Sequence, residues 1–299
     1  QGGLALVHPE DHRPYRLLPG HTAGPQPPLP GDQLVAVAGQ CPDADGLQQS
    51  VPGNGIRQLS QCFRVKMFSR LVCVRDYFVD QSSGLFVPVY DVYLVNVPNA
   101  ISSYAGNESQ LVVDALTAFK NKYPNVDVAK YDADNNGEVD VVAVIFAGSR
   151  GQYGLTGQQY ALKWKSTPQF IGGKKFDKYF ITAQMEDSRN IKNIGSFVHE
   201  FGHVLGLADH YSVYNSSTSF TTQYQGAHAW DVMATGMYNN SAATPPSYSA
   251  FEKNFLGWMD YTSLDTTQKI TVIPPLQENN VAYKIPVSER PDEWFILEN

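Results

Sequence analysis

One stretch of the chain concentrates residue types that do chemistry: His199-Glu200-Phe201-Gly202-His203-Val204-Leu205-Gly206-Leu207-Ala208-Asp209-His210-Tyr211. Histidines at i and i+4 share one helix face, one turn apart, so both imidazoles can bind a single Zn²⁺ at about 2.0–2.1 Å. Glu200 leaves the helix in a direction that makes it a poor ligand but a good partner for a water on the ion. Gly206 lets the chain bend away, and Asp209 returns three residues later as the expected third ligand. His210 is the alternative third ligand. Such a centre combines a Lewis acid, a nucleophilic water and a proton shuttle, with Glu200 as general base. An oxyanion stabiliser is also required, and Tyr238 and Tyr211 are candidates by position. His228 reads as a surface histidine, with a substrate contact as the alternative.

A second constellation carries oxygen ligands. Asp132, Asp134, Asn136 and Asp140 occupy positions 1, 3, 5 and 9 of a hand-like loop; Glu138 lies between them and Gly137 takes the sharp turn. Hard oxygens at alternate residues converge on one side, which suits a structural Ca²⁺. Position twelve is Ala143 and a strand follows, so the loop is no EF-hand. A polar turn capping a buried strand is the competing reading.

These side chains need rigid elements to hold them. Lys192–Leu205 has the pattern of a helix stopped by Gly206. Asn107–Tyr123 is amphipathic, with Leu111, Ala115, Leu116 and Phe119 on one face and Lys120 and Lys122 at its end. Val141–Ala147 is a continuous apolar run, as in a strand buried on both faces. Val74–Val79 reads as a short helix, Phe86–Tyr93 as a strand and Phe251–Trp258 as a third helix. Short strands are expected at Ile270–Ile273, Val281–Ile285 and Trp294–Leu297. The mixture gives an α/β fold.

Residues 1–73 differ in character. Nine of the 19 prolines fall within residues 1–55, where no period holds for long, so an irregular segment is expected apart from a possible strand at Leu34–Ala38. The expected organisation is this segment, a catalytic domain over 74–262, and the start of a β-rich region over 263–299. The chain opens at Gln1 without a charged-then-apolar leader and stops inside a strand-like run, which reads as part of a longer protein. Cys41, Cys62 and Cys73 are too few and too irregular for a disulfide framework or a zinc ribbon.

Composition narrows the partners. At 299 residues, with 42% apolar and 12% aromatic side chains, the chain can bury a core. A net charge of −7 argues against nucleic acid, which wants a basic face. No apolar run approaches the roughly 20 residues of a membrane span.

The extended motif resembles metzincin zinc peptidases, most of which end it in His rather than Asp. The chain is most similar to the immune inhibitor A-type secreted metallopeptidases. Trp230-Asp231-Val232-Met233-Ala234-Thr235-Gly236 resembles that family's Trp-Asp-x-Met-x-x-Gly segment, which implies that Met233 is the Met-turn methionine beneath the metal. Pro245 or Pro246, Lys253 and Leu256-Gly257-Trp258 are similar to its Pro…Lys…Leu-Gly-Trp stretch. Upstream, Tyr77-Phe78 with Ser82 and Gly84 resembles its Tyr-Phe-x-x-x-Ser-x-Gly segment, and 131–140 its acidic loop. The resemblance covers about 74–299; residues 1–73 do not look like the family's usual opening. It implies a metzincin-like twisted mixed sheet with an active-site helix, zinc with structural calcium, protein or peptide substrates, and secretion or display at the cell surface. A monomer is expected. The bacterial IgA-peptidase type, with a similar His-Glu-Phe-Gly-His core, is a second hydrolase reading that the Trp-Asp-x-Met segment disfavours. A noncatalytic, calcium-stabilised surface or adhesion module keeping the fold is the alternative from another class, and intact Glu200 weighs against it.

Overall fold

A computed structural model describes residues 4–7, 33–39, 65–67, 70–72, 74–149, 167–186, 192–211, 226–266, 270, 272–287 and 290–299. Cys41, Cys62 and Cys73 lie outside these residues, as do 151–166 and 212–225. The described strands, in chain order, are β1 (Leu4–Val7), β2 (Gln33–Gly39), β3 (Val65–Met67), β4 (Arg70–Val72), β5 (Val89–Val95), β6 (Val141–Ser149), β7 (Gln169–Ile171), β8 (Lys174–Phe176), β9 (Tyr179–Met185), β10 (Thr262–Ser263), β11 (Tyr283–Val287) and β12 (Arg290–Leu297). The helices used below are α1 (Val74–Gln81), α2 (Glu108–Lys122), α3 (Gly195–Val204), α4 (Ala250–Phe255) and α5 (Leu276–Asn279). Together they make a mixed α/β structure of small sheets and several helices, and they divide into two compact units.

The larger unit comprises 30–77 and 87–246. Its main sheet has the order β5-β2-β6-β9, and every neighbouring pair is parallel. Parallel neighbours need crossovers, and α2 supplies the one between β5 and β6. The apolar run Val141–Phe146 is buried at every residue, because helices and loops cover both faces of such a sheet. On α2, Leu111, Ala115, Leu116 and Phe119 point into the core shared with Val142, Val144, Phe146 and Ile181, as the 3.6-residue period requires. β2 comes from the Pro/Gly-rich segment yet lies between β5 and β6, in the run singled out as a possible strand.

Helix α3 begins three residues later than its apolar pattern. Lys192 N–H instead donates to Gln184 O, within β9, at 2.9 Å. Helical geometry begins only at Gly195, whose Cα lies so near the turn Thr235–Tyr238 that an added Cβ would sit 2.0 Å from Met237 O.

The smaller unit comprises 1–29, 78–86 and 247–299. Its sheet has the order β1-β12-β11-β10. Ala250, Met259, Leu276, Ala282 and Ile296 form its aliphatic core. Phe78, Phe86, Tyr248 and Trp258 form an aromatic cluster, with centroid separations of 5.6–6.2 Å along its stacked and edge contacts. Helix α4 starts at a capping box in which Ser249 and Glu252 satisfy each other's backbone N–H. The strand expected at 270–273 does not form among its described residues; Ile273 O accepts from the Asn299 side chain at 2.7 Å.

Candidate metal centre

The site lies in the larger unit and starts from how α3 ends. Gly206 adopts φ +102°, a conformation open to glycine and costly for other residues. Its N–H donates to His203 O, and Leu207 N–H donates to Gly202 O, both at 3.0 Å, closing a Schellman motif. The same reversal brings Leu207 O to 2.9 Å from His203 Nδ1. His199, one turn earlier, places Nδ1 2.9 Å from Val232 O. A carbonyl can only accept, so both imidazoles carry their proton on Nδ1 and present a lone pair at Nε2.

Those two Nε2 atoms converge on one oxygen. Asp209 Oδ1 lies 3.3 Å from His199 Nε2 and 3.3 Å from His203 Nε2, as ion-pair contacts without hydrogen-bond geometry. His199, His203 and Asp209 are one of the groups whose donor atoms lie close enough to share a metal ion. Tetrahedral N and O ligands at about 2.0–2.1 Å from an ion sit about 3.3–3.4 Å from each other, so the spacing fits zinc. The electrostatics fit as well. Burial alone would raise the Asp209 carboxyl, but the two imidazoles outweigh it and hold the group well below the ordinary carboxylate range. Burial opposes charge on His203, yet Asp209, the Leu207 carbonyl and Glu200 push its pKa up. The cluster draws positive charge to the point where its three donor atoms meet.

Glu200 is 1% exposed, and neither of its oxygens accepts a hydrogen bond from a described residue. Burial pushes its carboxyl above the ordinary range against the pull of His199 and His203, with Asp209 adding to the rise and Lys192 opposing it. A buried carboxylate with open lone pairs suits a general base.

The remaining predicted residues separate into those the structure brings together and those it does not. His210 turns its Nδ1 to Asp231 Oδ2 at 2.5 Å, which leaves Asp209 as the residue aimed between the two imidazoles. Met233 is fully buried in the turn that follows Asp231. The Tyr211 ring lies nearly parallel to that of His199, 6.4 Å away, while Tyr238 stands half exposed at the end of its turn. His228 is exposed, with φ +53°. In the acidic loop, Asp132 accepts from Asn136 N and Gly137 N and pairs with Lys174. Asp134 accepts from Asn136, Asn136 from Glu138 N, and Asp140 from Ala133 N. Glu138 pairs with Lys175. Lys174 holds Asp132, and Lys175 holds Glu138, below the ordinary carboxylate range, whereas burial pushes Asp140 above it. These oxygens are committed to turn hydrogen bonds and lysines, and among the described residues they form no convergent carboxylate cluster. What sequence reasoning missed is the role of Asp231 and of the carbonyls of Val232 and Leu207. The Trp-Asp-x-Met segment flagged the first; backbone carbonyls carry no side-chain signal.

No curated protein matches the chain. A family model described as immune inhibitor A peptidase M6, catalytic domain, matches residues 60–259, a span that contains α3, Asp209 and the turn around Met233. The chain is therefore a peptidase, with proteins or peptides as its substrates, and it belongs to the immune inhibitor A peptidase M6 family.

Proposed function

We propose that the chain is a zinc-dependent endopeptidase in which His199, His203 and Asp209 hold the ion and Glu200 is the general base. The observation that carries this reading is the meeting of two Nε2 lone pairs and one carboxylate oxygen at 3.3 Å, with both Nδ1 atoms already committed to carbonyls. When bound, Zn²⁺ supplies Lewis acidity toward a peptide carbonyl and acidifies water. Glu200 takes the proton of the attacking water on a carboxylate oxygen and returns it to the departing amine nitrogen. Its burial raises its basicity and keeps bulk water from competing for that proton. Tyr238 and Tyr211, the latter with its ring beside that of His199, are the candidates to meet the developing oxyanion. Met233 floors the site in the manner of metzincins, and the family's habit favours secretion; both belong to this reading, as does a monomeric state.

The test is zinc analysis paired with casein hydrolysis. Glu200→Gln is expected to retain one equivalent of zinc while losing hydrolysis by a factor of about 10²–10⁴. Asp209→Ala is expected to lose both. One equivalent of zinc without hydrolysis by the unmodified chain would sink the protease reading in favour of a binding module.

A further inference from the structure

Asp209 is the one ligand outside the helix, and residues 207–209 have no regular secondary structure to fix them. The Schellman closure anchors the segment on its N-terminal side, through Leu207. On its C-terminal side the anchor is the next residue, His210. Its N–H donates to Met233 O at 2.9 Å, and its Nδ1 lies 2.5 Å from Asp231 Oδ2. Asp231 is itself immobilised. It is 2% exposed, its Oδ1 accepts from Met233 N at 2.6 Å, and its carbonyl accepts from Ala234 N and Gly236 N at 3.1 Å each. Gly236 is packed so closely there that a Cβ would lie 2.5 Å from Asp231 O. Between Asp231 and Met233, Val232 O orients His199. One three-residue turn therefore grips two of the three proposed ligands, His199 through a carbonyl and Asp209 through His210.

We infer that His210 and Asp231 are positioning residues for the metal: their side-chain pair holds the Asp209 carboxylate at the point where the two imidazoles meet. The inference rests on the proposed ligand set. Removal of His210 leaves Asp209 chemically intact but free to swing. Removal of Asp231 loosens the same residue and weakens the turn that orients His199. Outer partners of this kind change metal affinity by about 10–100-fold.

The experiment measures zinc affinity by competition with a chromophoric chelator, together with the visible spectrum of the cobalt(II)-loaded protein. The set is the unmodified chain, Asp209→Ala, His210→Ala, His210→Asn, Asp231→Ala and His210→Ala/Asp231→Ala, each checked by thermal melting without metal. His210→Ala is expected to weaken zinc binding by about 10–100-fold and to alter the cobalt spectrum while melting near the unmodified chain. His210→Asn places an amide N–H near the lost Nδ1 and is expected to recover most of the affinity. The double variant is expected to bind no more weakly than Asp231→Ala, because the two side chains act as one clamp. If Asp209→Ala loses zinc while His210→Ala binds as tightly as the unmodified chain, the positioning role is wrong and the ligand set stands. Loss of affinity that follows loss of melting temperature, without rescue by asparagine, also overturns it. If Asp209→Ala keeps full affinity, the ligand set itself is wrong.

Discussion

At the scale of single residues, Gly206 controls the most. It ends α3, brings Leu207 O to His203 and starts the path to Asp209. Gly206→Ala is expected to cost about 1–3 kcal/mol in zinc-free denaturation, because φ +102° strains any L side chain. The same variant is expected to weaken zinc binding; unchanged affinity would show that the bend does not set the ligand. His199, Glu200 and His203 of the proposed centre are legible in the sequence because an i, i+4 pair on a helix is a periodic feature. The choice between Asp209 and His210 is not legible there. It depends on Asp231, which reaches the site from 21 residues away. Nor does sequence order Tyr211 and Tyr238, since spacing says nothing about which ring meets His199.

At the scale of elements, close approach explains what periodicity missed. The apolar pattern extends α3 back to Lys192, yet the helix starts at Gly195. Gly195→Ala would push a methyl into Met237 O, and overpacking of this sort costs about 1–3 kcal/mol. Its melting temperature is expected to fall by several degrees; an unchanged value would mean the turn Thr235–Tyr238 yields freely. By contrast β6 and α2 are readable to within one or two residues at their ends, since a doubly buried strand and an amphipathic helix announce themselves by composition and period. In the smaller unit, Lys253 on α4 is fully buried and donates to Asn280 Oδ1 at 3.0 Å. Burial lowers its pKa from 10.5 to about 8, with Glu298 opposing. Below about pH 8 both folded and unfolded chains hold the proton, and the folded state bears the cost of a buried ammonium. Between about 8 and 10.5 the unfolded chain binds more protons, so this group makes stability rise with pH, by up to about 1.4 kcal/mol per unit. Comparing denaturation midpoints of the unmodified chain and Lys253→Met from pH 7 to 10.5 isolates the effect. The difference in favour of the methionine variant is expected to shrink as pH rises, and a constant difference would refute the assignment.

At the scale of the whole molecule, metal and fold are linked. Ions that bind only the folded chain add about 4 kcal/mol at a thousand times their dissociation constant. Zinc removal by a chelator is therefore expected to lower the melting temperature, and restored zinc to return it. Calcium added to the zinc-loaded protein is expected to leave it in place, since the 132–140 carboxylates already have lysine and backbone partners. No helix among the described residues is long and apolar enough to cross a membrane. The family match begins at residue 60, whereas β2 lies at 33–39 and bridges β5 and β6. A chain trimmed to 60–259 is expected to be expressed as insoluble or molten material, read by near-ultraviolet circular dichroism; a cooperative, zinc-binding fragment would show that β2 is dispensable.

The position of β2 also orders events in time. It is the earliest described strand of its sheet to leave the ribosome, and both partners are synthesised later, β5 from residue 89 and β6 from residue 141. At about 5–20 residues per second, the newborn chain carries a strand with neither edge matched for several seconds. That interval is when the unfinished chain is most exposed to aggregation, and a slowed translation rate would lengthen it.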